Sequence, residues 1–434
     1  MIAIHADLLD CPQAPAWGET GPQGVRWRPG HWLLVGDDGR ITGVQAEAPG
    51  PEWPREDYRG RLLLPGFIDT HVHSPQLDVI ASYGTELLDW LHTYTFPAER
   101  AWVDPAVAAA GSALFLDALL AHGTTAAVVF PTVHKGSADA LFEAASQRGM
   151  RIIAGKVLMD RHAPDGLRDD VAGAERDCID LIQRWHGRGR NAYAVTVRFA
   201  PTSTPEQLAM AGALCHADPT LYMQTHVAEN RDEVRWVAEL FPQARSYLDV
   251  YAGAGLLHPR SVLAHGIWLN ADDHGVLRDA GSQIAFCPSA NLCLGSGLCD
   301  WPATAAAGVQ VSVASDVGGG TSLSMQRTLA DGYKVQASLG KGTGHDLSAW
   351  CALHAATRGA AQALHLGHEI GLLEPGLMAD LCLWDWAIGA VDGRRQQVAR
   401  DLHEKVFAWM LLADERHLVR TWVAGQPLYE RTSA

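Results

Sequence analysis

Two histidines one residue apart, His71 and His73, close the mostly apolar run PGFIDTHVH (65–73). Side chains in a strand repeat every second residue, so both imidazoles fall on one face with their Cα atoms roughly 7 Å apart, close enough to share one metal ion. On a helix the same spacing would splay them apart. Three more polar residues hold the same kind of position: His226 ends LYMQTHV, His265 ends SVLAHG and Asp316 ends VSVASD, each after a hydrophobic run and before a loop. Imidazoles with a carboxylate make a donor set for Zn²⁺, and iron or another divalent ion suits it as well. Glu229, in HVAEN, begins the loop after His226 and can overhang such a centre as a general acid/base beside an activated water. Its plainer role is that of a first-turn helix acid favoured by the macrodipole.

These residues need a frame that brings distant strand ends together. The middle of the chain alternates short apolar runs with longer helical patterns, the signature of βα units. Eight strand candidates stand at 62–73, 125–130, 152–159, 192–200, 221–227, 262–266, 283–287 and 309–316, with helical stretches such as 105–121 and 231–241 between them. That pattern predicts a TIM-like (β/α)8 barrel over 65–369, whose strand C-termini meet at one mouth. A doubly wound open sheet is the competitor that strand counting leaves open. Both ends of the chain, 1–64 and 370–434, read as short strands with Pro/Gly turns, and are expected to pair into one small β-sandwich domain.

Composition narrows the partners. The formal charge of −15 over 434 residues argues against a nucleic-acid polymer or an anionic membrane, both of which need a positive footprint. With 47% hydrophobic and 19% charged residues the chain is folded, not disordered. The N-terminus has no basic region followed by an apolar core, and the uncharged stretches 118–134 and 280–299 are broken by polar residues, Pro and Gly. Neither a secretory signal nor a membrane span is expected. The 8 cysteines lack framework spacing, which fits reduced thiols in a cytoplasm. Cys287, Cys293 and Cys299 are spaced unlike a CxxC zinc site and read as buried or loop thiols. An HxE…PCxxC signature, which marks one class of zinc enzyme, is missing. The glycines of Asp316-Val-Gly-Gly-Gly lack phosphate-loop spacing and read as a close backbone turn beside the metal.

The ordered set HxH, His, His, Asp resembles the metal-dependent amidohydrolase superfamily, whose members pair such a barrel with a small β-domain from both chain ends. Within it the chain is similar to the guanine-deaminating branch. The matching stretches are PGFIDTHVHSPQ (65–76), LLDWLHTYTFPAE (87–99), GKVLMD (155–160), VRFAPT (197–202), THVAENRDEV (225–234), LAHGIWL (263–269), CPSANLCLGSG (287–297) and SDVGGGTSLSM (315–325). The resemblance implies one zinc per chain held by His71, His73, His226 and Asp316, with His265 and Asp316 orienting a water and taking its proton. Glu229 would protonate ring N3, and guanine would become xanthine and ammonia, a step of purine catabolism or salvage. Substrate contacts would fall on Gln76, Arg198 and Phe199, together with His226, Glu229 and Asp316. Arg198 in a surface pair and Phe199 in the core are the ordinary roles that the residues alone would favour. Lys156 invites comparison with the carbamylated lysine of two-metal relatives, but that residue belongs on a fourth strand and Lys156 falls on the third, so a one-metal site is expected. The resemblance also implies a homodimer. A related ring (8-oxoguanine, a pterin, cytosine or a triazine) and a non-catalytic scaffold of the same fold are the competing readings.

Overall fold

The computed structural model describes residues 1–83, 86–340, 342, 344 and 346–432. The chain enters through four strands, β1 (Ile2–Asp10), β2 (Arg26–Val35), β3 (Ile41–Gln45) and β4 (Arg55–Pro65), and Gly66 then turns it into β5 (Phe67–His73). The run 62–73, expected as one strand, is therefore divided between two sheets. The reason is steric. A Cβ at position 66 would stand 2.2 Å from Thr125 Oγ1, so the backbone passes through a gap only glycine fits, while the Gly66 amide donates to the Asp380 carbonyl at 2.8 Å.

After β5 come β6 (Thr124–Phe130), β7 (Arg151–Ala154) with its short continuation β8 (Val157–Leu158), β9 (Asn191–Val197), β10 (Tyr222–Val227), β11 (Ser261–His265), β12 (Gln283–Phe286) and β13 (Gln310–Val313). All pair in parallel. The ring closes where the segment from β13 onward meets β5: Thr70 Oγ1 donates to Val313 O at 3.2 Å, Asp316 N to His71 O at 3.0 Å and His73 N to Val317 O at 2.9 Å. The architecture is a TIM-like (β/α)8 barrel, not an open sheet. Strands β5, β6, β9 and β11 are buried at every position, as expected where both faces are covered. Helices start where a side-chain oxygen accepts a first-turn amide: Asp104 before Pro105–Leu120, Asp170 before Val171–Trp185, Thr204 before Pro205–Ala217 and Asn270 before Ala271–Ala280.

The third barrel strand also departs from its expected continuous form. A Cβ at Gly155 would lie 1.9 Å from the Ala194 carbonyl oxygen, so the backbones touch and the strand breaks into β7 and β8. Lys156 occupies that break, fully buried, with Nζ 2.7 Å from Asp169 Oδ1. Its charge is spent holding the loop that precedes Val171–Trp185.

The chain ends in β14 (Leu381–Trp384), β15 (Leu418–Val423) and β16 (Gln426–Glu430), which rejoin the first four strands in the order β16-β15-β14-β4-β1-β2-β3. Only the β1–β4 pair is parallel. On one side Ile4, Leu33, Leu63, Leu383 and Trp422 pack together; on the other, Leu62, Leu64 and Trp384 meet Phe67, Trp350 and Trp409 of the barrel and its helices. Arg190 fastens the junction by donating to both carboxylate oxygens of Asp380 (3.0 and 2.6 Å) and to Glu369 (2.8 Å). Among the described residues no single helix is long and apolar enough to cross a membrane.

If Gly66 is the gap through which one sheet hands the chain to the other, Gly66→Ala forces Thr125 aside and destabilises the fold by about 1–3 kcal/mol, as overpacking does. Urea unfolding measures this, and an unchanged midpoint refutes it.

Candidate active site

The polar strand ends converge. His73 Nε2 lies 3.2 Å from Nε2 of both His71 and His226, and Asp316 Oδ1 lies 3.2 Å from His71 Nε2 and 3.3 Å from His73 Nε2. Burial holds all three imidazoles well below the usual histidine range, so they are neutral. His226 Nδ1 contacts the Arg198 carbonyl at 2.6 Å; that oxygen only accepts, so Nδ1 carries the proton and Nε2 is left bare toward the cluster. Bare ring nitrogens at such separations repel unless a cation lies between them. Tetrahedral zinc with bonds of about 2.0–2.1 Å sets its donors about 3.3–3.4 Å apart, so the spacing and the donor chemistry fit a divalent ion. Ligand atoms of His71, His226, His265 and Asp316 also lie within 4.8 Å of one another. His265 stands at the edge of the tight group: its Nε2 is 3.4 Å from Glu229 Oε2 and 3.7 Å from Asp316 Oδ2. We therefore take His73, and not His265, as the fourth donor.

Backbone geometry aims these groups. His265, Asp316 and Ala228 have φ values of 72°, 50° and 47°, a region costly for residues with a Cβ and commonest where function demands it. Buried Asp69 steadies the turn before Asp316, accepting from Ser315 N at 3.1 Å, from Ser315 Oγ and from His71 N at 3.3 Å. Glu229 precedes the helix Arg231–Leu240, and its amide donates to Glu233 Oε2 at 3.0 Å. Its side chain is buried in the pocket, where Oε1 accepts from Ser296 Oγ at 2.9 Å. It is not a solvated first-turn acid. Burial, reinforced by the nearby Glu233 and Asp316 carboxylates, pushes its carboxyl up to about 7 against the opposing pull of His265. At that value it both holds and releases a proton near neutrality. Burial disfavours the charged form of His265, but the Glu229 and Asp316 carboxylates together outweigh it and raise its pKa. Asn291 Oδ1 lies 2.9 Å from His265 Nδ1, which leaves Nε2 turned toward Glu229 and Asp316.

The expected substrate residues share this pocket, which Gln76, Arg198 and Phe199 line together with Trp90, Leu91 and Leu294. Arg198 is 3% exposed and paired with buried Glu99, not with a surface acid. Phe199 is part of an apolar cluster with Leu87, Trp90 and Phe96, yet keeps an edge on the cavity. Lys156 does not line the pocket, and Cys287 and Cys299 are buried free thiols while Cys293 is exposed. Sequence reasoning passed over Glu99, Glu233, Asn291 and Ser296. Their signal was a polar residue inside an otherwise apolar or small-residue stretch, as in FPAERA (96–101) and CPSANLCLGSG (287–297).

Residues 62–428 match the model of the amidohydrolase family. The guanine deaminase of Escherichia coli (strain K12) is 45% identical over 86% of this chain and 84% of its own length. The solved structure of E. coli guanine deaminase superposes with a TM-score of 0.94 at 40% identity, covering 100% of both chains. That of guanine deaminase from C. acetobutylicum, solved with guanine in its active site, gives 0.89 at 25% identity over 99% of this chain and 100% of its own.

A divalent ion bound only by the folded state stabilises it by about 2.7 kcal/mol at a hundredfold excess over Kd. Chelation is therefore expected to lower Tm. In His71→Ala the ion is lost by elemental analysis and Tm no longer responds to chelator. A His71→Ala protein that keeps a full equivalent of metal contradicts the donor assignment.

Proposed function

Because the chain belongs to the amidohydrolase family, its barrel mouth is the place to look for hydrolysis, and we propose that it deaminates guanine to xanthine and ammonia. The observation that carries this reading is the meeting, in one pocket, of the four-donor centre with the buried Glu229 carboxyl and the Arg198–Gln76 pair. The similarity to guanine deaminases over most of the chain supports the choice of ring.

His71, His73, His226 and Asp316 would hold one divalent ion, and zinc suits their tetrahedral spacing. Such an ion supplies Lewis acidity, bringing the pKa of water from 15.7 toward neutrality. The remaining chemistry belongs to the side chains. His265 Nε2 and Asp316 Oδ2, 3.7 Å apart, take the proton of the attacking water. The Glu229 carboxyl gives its proton to ring N3, making C2 electrophilic as the C2–O bond forms. The proton held at His265 and Asp316 then passes to the exocyclic amine, the C2–N bond breaks and ammonia leaves. Glu229 recovers its proton from the new C2 hydroxyl, which becomes the carbonyl of xanthine, while N3 keeps the proton it was given. Arg198 supplies rigid donors to O6 and N7, Gln76 adds an amide along the same edge, and Phe199 covers the flat base.

Glu229→Gln keeps the shape and the metal but not the transferable proton. Ammonia release from guanine should fall by about a hundred- to ten-thousand-fold, with bound metal unchanged. Near-normal turnover in that variant refutes the proton-delivery role. Faster turnover of a pterin, cytosine or a triazine than of guanine by the unmodified protein refutes the substrate.

A further inference from the structure

Glu99 stands behind Gln76 and Arg198, not on the pocket surface, and is fully buried in the short helix Phe96–Ala101. One of its oxygens serves both neighbours: Oε1 accepts from Arg198 Nη1 at 2.6 Å and from Gln76 Nε2 at 3.2 Å. Gln76 Oε1 in turn accepts from the Gly318 amide at 3.1 Å. Turning the Gln76 amide over would set NH₂ against the Gly318 N–H and oxygen against the Glu99 carboxylate, so only one orientation is allowed. Phe96, on the same helix, puts its ring centroid 5.4 Å from the Arg198 guanidinium carbon. The helix therefore grips Arg198 by charge and by ring face at once. Glu99 Oε2 is buried with no hydrogen-bond partner among the described residues. A buried acceptor left open is costly, and structure alone gives no reason to keep one.

We propose that Glu99 is the positioning residue for recognition of the base: its carboxylate fixes Gln76 and Arg198 in one orientation and pairs the guanidinium, so that both present a preset edge to an oxo-purine. The proposal rests on guanine as the substrate. Glu99 is the counter-charge paired with the buried Arg198 guanidinium. Loss of the Glu99 charge loosens binding of the base more than it slows the chemistry, since no reacting atom touches it.

The test compares the metal-loaded wild-type chain with Glu99→Gln, Arg198→Met and the double variant. Glu99→Gln is expected to raise KM for guanine about 10- to 100-fold, with kcat within about threefold and metal content unchanged, the pattern of lost uniform binding. Guanine binding to metal-stripped protein, read from tryptophan fluorescence, should weaken by a similar factor. In the Arg198→Met background, Glu99→Gln should cost less than about threefold, because the partner it positions is already gone. Should Glu99→Gln not fold, Glu99→Asp keeps the charge, is one methylene too short to span both partners, and is read in the same way. Unchanged KM and binding, or an equal loss in both backgrounds, overturns the assignment. A wild-type chain that releases no ammonia from guanine, yet binds it in a Glu99-dependent way, overturns the proposed activity instead and leaves the positioning role standing.

Discussion

At the barrel mouth His73 Nε2 lies 3.2 Å from Nε2 of both His71 and His226, and Asp316 Oδ1 lies 3.2 Å from His71 Nε2 and 3.3 Å from His73 Nε2. The Arg198 carbonyl leaves His226 Nε2 a bare lone pair turned toward its neighbours. A cation at their centre suits this donor set and spacing, and the surrounding structure holds the donors in place. Parallel strands bury the ligands, the Arg198 carbonyl dictates which His226 nitrogen carries a proton, and backbone turns at unfavourable dihedrals aim His265 and Asp316. Each local cost is affordable because the surrounding barrel over-determines the positions.

Around this core the polar groups fall into two sets with different tasks. On one side Glu229, His265, Asn291 and Ser296 form a chain of hydrogen-bonding and charged contacts around the two titratable groups proposed to handle protons. On the other, Gln76, Arg198 and Glu99 form a set whose hydrogen bonds lock orientation. Carboxylates serve both sets, with different neighbours. Glu229, buried with other carboxylates nearby, is driven toward its neutral form. Glu99 instead lies against a guanidinium. Two glutamates in neighbouring walls thus take up opposite work.

Much of this was legible from residue order. His71 and His73 were readable because strand periodicity places them on one face, and His226, His265 and Asp316 because each follows an apolar run and the barrel brings those ends together. Glu229 was readable from its place after His226. What escaped was whatever depends on contact between segments distant in the chain. The divisions of 62–73 and 152–159 turn on Thr125 and on the Ala194 carbonyl, which lie far from Gly66 and Gly155 in the chain. Strand β16 is mostly exposed and lacks the alternation that betrays a strand. Glu99 carried only the oddity of an acid in an apolar helix, because its meaning depends on Gln76 and Arg198 arriving from other elements. For the same reason the sequence named Gln76 as a substrate contact without its orientation, which Gly318 and Glu99 set.

The seam of the barrel has a consequence for how such a protein comes into being. Two donors sit on the first strand of the ring, and the carboxylate that completes the set lies just past the last, at the place where Asp316 and His71 bond through their backbones. During synthesis the imidazole pair emerges early and waits for nearly the whole barrel before its closing partner leaves the ribosome. A truncated or half-wound chain therefore has no competent centre. Catalytic power arrives only with a finished ring, which makes the ion's cradle a check on completeness as well as a tool.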